Sequence, residues 1–400
     1  MFKPNTFAFT ALLAALTALG PLSTDLYLPV LPDMGRALGV SPTQVQLTLS
    51  AYLIGFAIGQ IAYGPISDWY GRRSGLLIAL VCYCAGALIC FLSPSIDILI
   101  GARVLQAFGA SGATVLARAV VRDLYSGARA GKELSLMSLV MAAGPVSAPL
   151  IGGVLHYFFG WRSAFAALVV IGAAVLITVW RKLPETLGER IAEKLSIGTL
   201  VSGYRQMLQH RVFVLYLLIG AAAYTCLLVW LTTGPFILQN LHGLTPIQFA
   251  ITFTLCACGY LVGNLLATRM VLRVGIARMI GYGASIMVLG AIIVCSLISL
   301  DLASVVTLVA AMALTLVGFG MVFPLALAGG LSCFSDRAGA ASSLLGFSPQ
   351  FMAAIVCTIV AFGMSRSVWV AGAAILAMAI IVLALWLMLR RAVSQTAKST

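Results

Sequence analysis

The sequence predicts an all-α polytopic membrane protein, with twelve transmembrane helices in two bundles of six. Three observations predict it. Of the 400 residues, 62% are apolar and only 9% are charged, against roughly 25% charged in a soluble domain. A water-soluble chain of this composition could not cover its own surface. Disordered, coiled-coil, collagen-like and disulfide-rich secreted classes fail on the same ground. The apolar residues also form unbroken runs, as from Ala371 to Met388, where a β-barrel would alternate apolar and polar residues in segments of about ten. At about 20 residues per crossing, this apolar content supports about twelve helices and leaves little for an extramembrane domain.

The spans are read in order at 7–31, 44–66, 75–93, 97–118, 134–156, 163–180, 212–238, 247–267, 279–299, 303–328, 340–362 and 368–389. The first is too long for a signal peptide, is preceded only by Lys3 and leads into no soluble domain, so it is read as a retained span. The longest hydrophilic stretch, 181–211, holds Pro184, the charged run Glu185, Glu189, Arg190, Glu193 and Lys194, and a candidate surface helix near Leu200–Gln209. It divides the chain into an N-terminal six-helix bundle (1–180), a cytoplasmic linker (181–211) and a C-terminal six-helix bundle (212–400). Six spans on each side of a linker is the symmetry of secondary transporters.

The net charge of +13 would suggest nucleic acid in a soluble protein. Here it is read as loop charge that fixes orientation, and no nucleic-acid partner is expected. With the N-terminus inside, 20 of the 24 lysines and arginines fall on the inner side, Arg72, Arg73, Arg122, Arg181 and Lys182 among them. Arg36, Arg162 and Arg366 fall outside and Arg103 lies within a span. That asymmetry supports twelve spans with both termini cytoplasmic. The nine cysteines lie almost entirely in apolar runs. Cys82/Cys84 and Cys256/Cys258 are two apart, which turns them to different helix faces, so no metal site is expected.

Polar groups at lipid depth are costly, and they usually face a cavity. Asp25 is the one acid read inside a span. Pro21 and Pro29 flank it and remove backbone donors, and a loosened backbone at that depth is tolerated where it lines protein or water. Desolvation there disfavours the charged carboxylate, so Asp25 is a candidate proton exchanger. The alternative is a polar group near the outer helix end. Arg103 stays charged and must find an anion or carbonyls. Asp25, a substrate and a helix end are the partners considered.

The loop after the second span reads Gly64-Pro65-Ile66-Ser67-Asp68-Trp69-Tyr70-Gly71-Arg72-Arg73. Gly71 permits a tight turn, and Arg72 and Asp123 form a candidate ion pair on the same side. The fifth span carries Gly144-Pro145-Val146-Ser147-Ala148-Pro149-Leu150-Ile151-Gly152-Gly153, small residues that allow close helix packing and two prolines that bend it. No GxxxxGK[ST] loop, HExxH helix or pair of intramembrane carboxylates is present. His156, His210 and His242 lie at span ends or in loops. An enzyme is therefore not expected.

These motifs resemble the major facilitator superfamily. Gly64, Asp68, Gly71, Arg72 and Arg73 match its loop signature, with Trp69 for the usual arginine and Ile66 for the usual leucine. Arg103-x-x-Gln106 resembles its fourth-span arginine motif, with Ala107 for glycine. The Gly144, Ala148, Pro149, Gly152 and Gly153 run is similar to the antiporter motif. The second-half loop keeps Gly275 but has Leu272 where the acid would stand. The Asp25-Leu-Tyr-Leu-Pro29-Val-Leu-Pro32 stretch closely resembles the bicyclomycin and chloramphenicol resistance branch (Bcr/CflA). That likeness extends through Trp161-Arg162, Pro184-Glu185-Thr186 and the Ala338-Gly339-x-Ala-Ser-Ser run.

The resemblance implies two six-helix bundles around a central cavity, alternating access, and drug:proton antiport. It makes Asp25 the proton-coupling or cation-recognition residue and Arg103 its electrostatic regulator. Asp68, Arg72 and Asp123 become a cytoplasmic latch. The cavity spans of this fold would offer Tyr27, Gln106, Tyr224, Trp230, Phe319 and Phe323, for each of which core or lipid packing is the competing reading. It implies a monomer in a bacterial inner membrane, with small molecules and protons as partners and no cofactor beyond the proton gradient. An importer or exporter of a metabolite, such as a nucleoside or amino acid, is the alternative.

Overall fold

The computed structural model describes residues 6–125, 127–187, 197–300, 302–334 and 337–399. Among these residues every regular element is helical. The helices are α1 (Phe7–Asp25), α2 (Leu31–Leu38), α3 (Pro42–Tyr70), α4 (Arg72–Leu92), α5 (Ile96–Leu124), α6 (Gly127–Phe159) and α7 (Arg162–Lys182). Then come α8 (Ile197–Gln209), α9 (Arg211–Pro235), α10 (Pro246–Val274), α11 (Ile276–Ser299), α12 (Val305–Ser332), α13 (Ala338–Met364) and α14 (Trp369–Ser399).

Eleven helical segments among the described residues are long and apolar enough to cross a membrane. The twelfth expected span falls on α6, whose 33 residues exceed the length a crossing needs. The protein is thus an all-α, multi-pass membrane protein. The candidate surface helix of the linker is α8, and the charged residues Glu189, Arg190, Glu193 and Lys194 lie outside the described residues.

Local chemistry sets the helix ends. Ser41 and Gln44 form a reciprocal capping box at the start of α3, and Thr245 and Gln248 form another at α10. Each satisfies backbone donors that the first turn leaves open. Pro42 and Pro246 sit where a missing N–H costs nothing.

The first span departs from expectation. In place of one helix over 7–31, α1 stops at Asp25, a 3-10 turn covers Leu28–Val30, and α2 follows. Pro29 has no N–H to donate to the Asp25 carbonyl four residues back, and Pro32 has none for Leu28. The seventh span, α9, likewise gives way after Pro235 to a π-helical turn, Phe236–Leu241.

The chain forms two compact units, Met1–Ser196 and Ile197–Thr400. In the first, α5 packs on α3, α4 and α1, α4 lies against α7, and α1 lies along α6. In the second, α12 packs on α10, α11 and α9, α11 lies against α14, and α9 lies along α13. One packing plan therefore serves both six-helix bundles. The core of the first contains Phe9, Leu13, Leu16, Tyr63, Tyr83 and Leu116, all fully buried.

The pairing of the first span with α6 holds a constant register. Thr10 donates to Glu133 at 2.7 Å, a Cβ on Gly144 would lie 3.5 Å from Pro21, and Asp33 meets His156. Each pair is separated by 123 residues. Both numbers rise together, so the two segments run in the same direction. Three crossings between them, α3, α4 and α5, give that parity.

Candidate functional site

Asp25 is the last residue of α1 and is 5% exposed. The Thr24 hydroxyl lies 2.9 Å from its Oδ1 and the same distance from the Pro21 carbonyl. The carboxylate thus sits at the break of the first span, within the packed unit. Asp25 is thus both buried and at a helix end. The break is also where α6 makes a close approach. A Cβ on Gly152 would stand 1.8 Å from the Leu26 carbonyl oxygen. Only glycine admits that approach, and it seats α6 against the residue after Asp25.

Arg103 is fully buried on α5. Its guanidinium carbon lies 4.3 Å from the Tyr27 ring centre, 4.2 Å from that of Tyr52 and 5.8 Å from that of Phe165. Its Nη1 donates to Gln106 Oε1 at 2.7 Å. Arg103 and Asp25 form no ion pair among the described residues, so that sequence expectation is corrected. The physical reason is the pair of tyrosine rings against it. Two ring faces offer negative potential to a desolvated cation, each contributing about 2 kcal/mol, while Asp25 is turned to Thr24. Tyr27 and Gln106, expected to line a cavity, are both engaged by this guanidinium, and both are fully buried. Tyr27 also meets Thr48 through its hydroxyl at 3.3 Å.

The loop between α3 and α4 gathers its charges tightly. Arg72 Nη1 donates to Asp68 Oδ1 at 2.6 Å and to Ser67 Oγ at 2.6 Å, and its Nε donates to Asp123 Oδ2 at 2.8 Å. One guanidinium thereby joins the end of α3 to the end of α5. Its side chain is 12% exposed, against 22% for Asp68 and 20% for Asp123, so the pairs are shielded compared with surface ion pairs. Gly71 makes the turn with φ 93°, a backbone that other residues adopt only under strain. Arg73 points elsewhere and donates from Nη2 to the Trp180 carbonyl at 2.6 Å. Gly64 stands in open space, with nothing near a would-be Cβ.

The α6 run is uneven in what it does. Gly152 is required by the approach to Leu26, whereas Gly144 makes only ordinary contact with Pro21. Pro149 and Gly153 are buried.

In the second unit the aromatic candidates divide. Tyr224 stacks on Phe323 at 5.4 Å between ring centres and Phe323 on Phe319 at 5.3 Å, while Tyr260 meets Phe319 at 5.5 Å with its ring tilted by 36°. Gln350 Nε2 donates to the Tyr224 hydroxyl at 3.1 Å. Tyr224 and Phe323 keep partly exposed faces. Trp230 is fully buried and stands apart from this column as a core residue.

Three residues escaped the sequence reading. Glu133, 3% exposed, accepts from Thr10, and Arg129 Nε lies 3.8 Å from its other oxygen. It therefore joins Asp25 as a second buried acid on this pair of helices. Its place at the polar edge of a span hid it. Tyr52 offers Arg103 a second ring beside that of Tyr27, and its only signal was an aromatic in an apolar run. Asp33 bonds both Arg36 and His156, so His156, read as interfacial, joins α6 to α2.

Comparison with known proteins places this geometry. The model of the Major Facilitator Superfamily matches residues 13–357. The uncharacterized MFS-type transporter YdgK of Bacillus subtilis (strain 168) is 33% identical over 365 residues, 90% of each chain. The chloramphenicol resistance protein of Pseudomonas aeruginosa is 30% identical over 338 residues, covering 84% of this chain and 80% of its own. The crystal structure of a D-xylose-proton symporter superposes with a TM-score of 0.73 at 15% identity, covering 94% of this chain and 97% of that one. At that identity the likeness is one of fold.

Proposed function

The chain belongs to the Major Facilitator Superfamily, and from that premise we propose that it is a proton-coupled efflux antiporter. Its substrates on this reading are small amphipathic or cationic compounds of the chloramphenicol or bicyclomycin kind, exported by alternating access. The likeness to a chloramphenicol resistance protein over most of both chains supports the drug class.

One observation carries the coupling: a buried carboxylate, Asp25, at the break of the first span, with α6 seated on that break through Gly152. Proton uptake and release at Asp25 changes the charge at the point where the first span bends. Helix α6, pressed against the next carbonyl, is placed to respond. Only a species with different affinity for two states can shift their balance, and proton and drug differ in that way if they compete for this site. Arg103 keeps its charge throughout, held by Tyr27 and Tyr52, so it supplies a constant field. The Asp68, Arg72 and Asp123 network acts as a latch on the cytoplasmic side, where both termini also lie. The Tyr224, Phe323 and Phe319 column provides flat faces for aromatic or cationic ligands. The chain works as a monomer in a bacterial inner membrane, with the proton gradient as its energy source.

The test uses proteoliposomes with a trapped pH-sensitive dye and an imposed proton gradient. Chloramphenicol, bicyclomycin and a cationic dye are added in turn. Wild type should move protons on addition of drug, and Asp25→Asn should do so at least about tenfold more slowly. Wild-type rates in the variant would relocate the proton site. A response to nucleosides or amino acids, with none to the drugs, would replace the efflux reading with that of a metabolite carrier.

A further inference from the structure

The carboxylate of Glu185 collects backbone N–H groups from two separate pieces of chain. Its Oε1 accepts from Arg72 N at 2.8 Å, from Thr186 N at 3.0 Å and from Leu187 N at 3.2 Å. Arg73 N lies 3.3 Å from Oε2. Arg72 and Arg73 open α4, and the first N–H groups of a helix have no partner within it. They also carry the positive end of the helix dipole, which favours an anion. Hydrogen bonds to an ionised acceptor are roughly twice as strong as neutral ones.

The sequence builds this contact from three directions. Pro184 follows the end of α7 and stops it, so Glu185 lies just beyond the helix and turns back towards α4, which packs alongside α7. Arg73 closes the same junction from the α4 side through the Trp180 carbonyl. Gly71 leaves room, since a Cβ there would stand 2.3 Å from Glu185 Oε2. The loop glycine is thus needed twice, for its backbone angle and for the carboxylate beside it.

We propose that Glu185 is a positioning residue of the inner gate. It fixes the backbone of Arg72, so that the guanidinium spans Asp68 and Asp123, and it ties to that gate the chain leaving the first unit. The inference rests on the reading of Asp68, Arg72 and Asp123 as a latch. Arg72 is held at both ends, by Glu185 at its amide and by two carboxylates at its tip. A rearrangement of the latch therefore reaches the origin of the segment that leads to the second unit.

The test compares Glu185→Ala, Glu185→Gln, Arg72→Ala and the Arg72→Ala/Glu185→Ala double variant in the proteoliposome assay. Glu185→Ala should lower the maximal rate about fivefold, with KM changed less than about twofold. Glu185→Gln keeps an acceptor oxygen without the charge and should fall between. If Glu185 acts through Arg72, adding Glu185→Ala to Arg72→Ala should cost less than about twofold more. A full multiplied loss in the double variant, or a wild-type rate in Glu185→Ala, overturns the inference. An Arg72→Ala variant at wild-type rate overturns the latch reading and this inference together. An impaired Arg72→Ala with an unimpaired Glu185→Ala overturns this inference alone. The tie can also be read without transport. In detergent, trypsin should cut after Arg72 or Arg73 at least about threefold faster in Glu185→Ala, relative to cleavage after Arg391. Equal cleavage overturns it.

Discussion

At Gly71 the backbone turns from α3 into α4 with φ 93° and ψ 157°, and at Gly275 it turns from α10 into α11 with φ 89° and ψ 154°. Each turn follows a 29-residue helix that opens on a proline and a capping box. The surroundings differ. Around Gly71, Asp68, Arg72, Asp123 and Glu185 interlock. Around Gly275 nothing lies within 4 Å of a would-be Cβ, and Leu272, in the place of Asp68, is 94% exposed. A repeated backbone therefore does not carry a repeated gate. The glycine preserves the turn in both units, while among the described residues the ionic lock is found at the first turn alone.

That contrast can be broken or sharpened by substitution. The largest effect is expected from Gly71→Ala against Gly275→Ala. Both should carry the strain of an L side chain in this positive-φ region, roughly 1–3 kcal/mol. Gly71→Ala must also displace Glu185, so its transport rate should fall at least about tenfold while Gly275→Ala stays within about threefold of wild type. Equal losses would show that the turn matters and the lock does not.

Next comes Arg72→Lys, which keeps the charge but not the fork that reaches two carboxylates. Transport should fall about fivefold without loss of folded protein on size-exclusion chromatography. Full activity would mean that one ion pair is enough. The smallest effect is expected from Leu272→Asp, which restores an acid to the bare turn. Ile276 and Ala277 hold the positions of Arg72 and Arg73, so no guanidinium stands where Arg72 does. Melting temperature should stay near wild type, because exposed substitutions usually shift stability by less than about 0.5 kcal/mol. A clear change in transport rate would reveal a lock at the second turn after all.

Much of the fold was legible because lipid imposes a simple rule on every crossing, and composition records it. The Arg72 and Asp123 contact was legible too, as opposite charges at adjacent span ends. The break after Asp25 was legible only in part. Pro21 and Pro29 signalled a loosened helix, but a bent helix and an interrupted one have the same composition. Glu133 resembled an ordinary loop acid, and the hydroxyl that donates to it belongs to Thr10, 123 residues away. Glu185 looked like the first member of a charged run. Its partners are mainly backbone N–H groups, which no pattern of side chains displays. Arg103 invited a carboxylate, and two tyrosine rings answered instead.

The matched spacing along the first span and α6 makes each segment a ruler for the other. Thr10 with Glu133 and Asp33 with His156 mark the two ends, and Pro21 with Gly144 marks a point between. Removing one residue from α6 between Glu133 and His156 would shorten it by about 1.5 Å and turn its far end by about 100°. Two marks could then be kept, but not all three. Length in these two segments can change only as a pair.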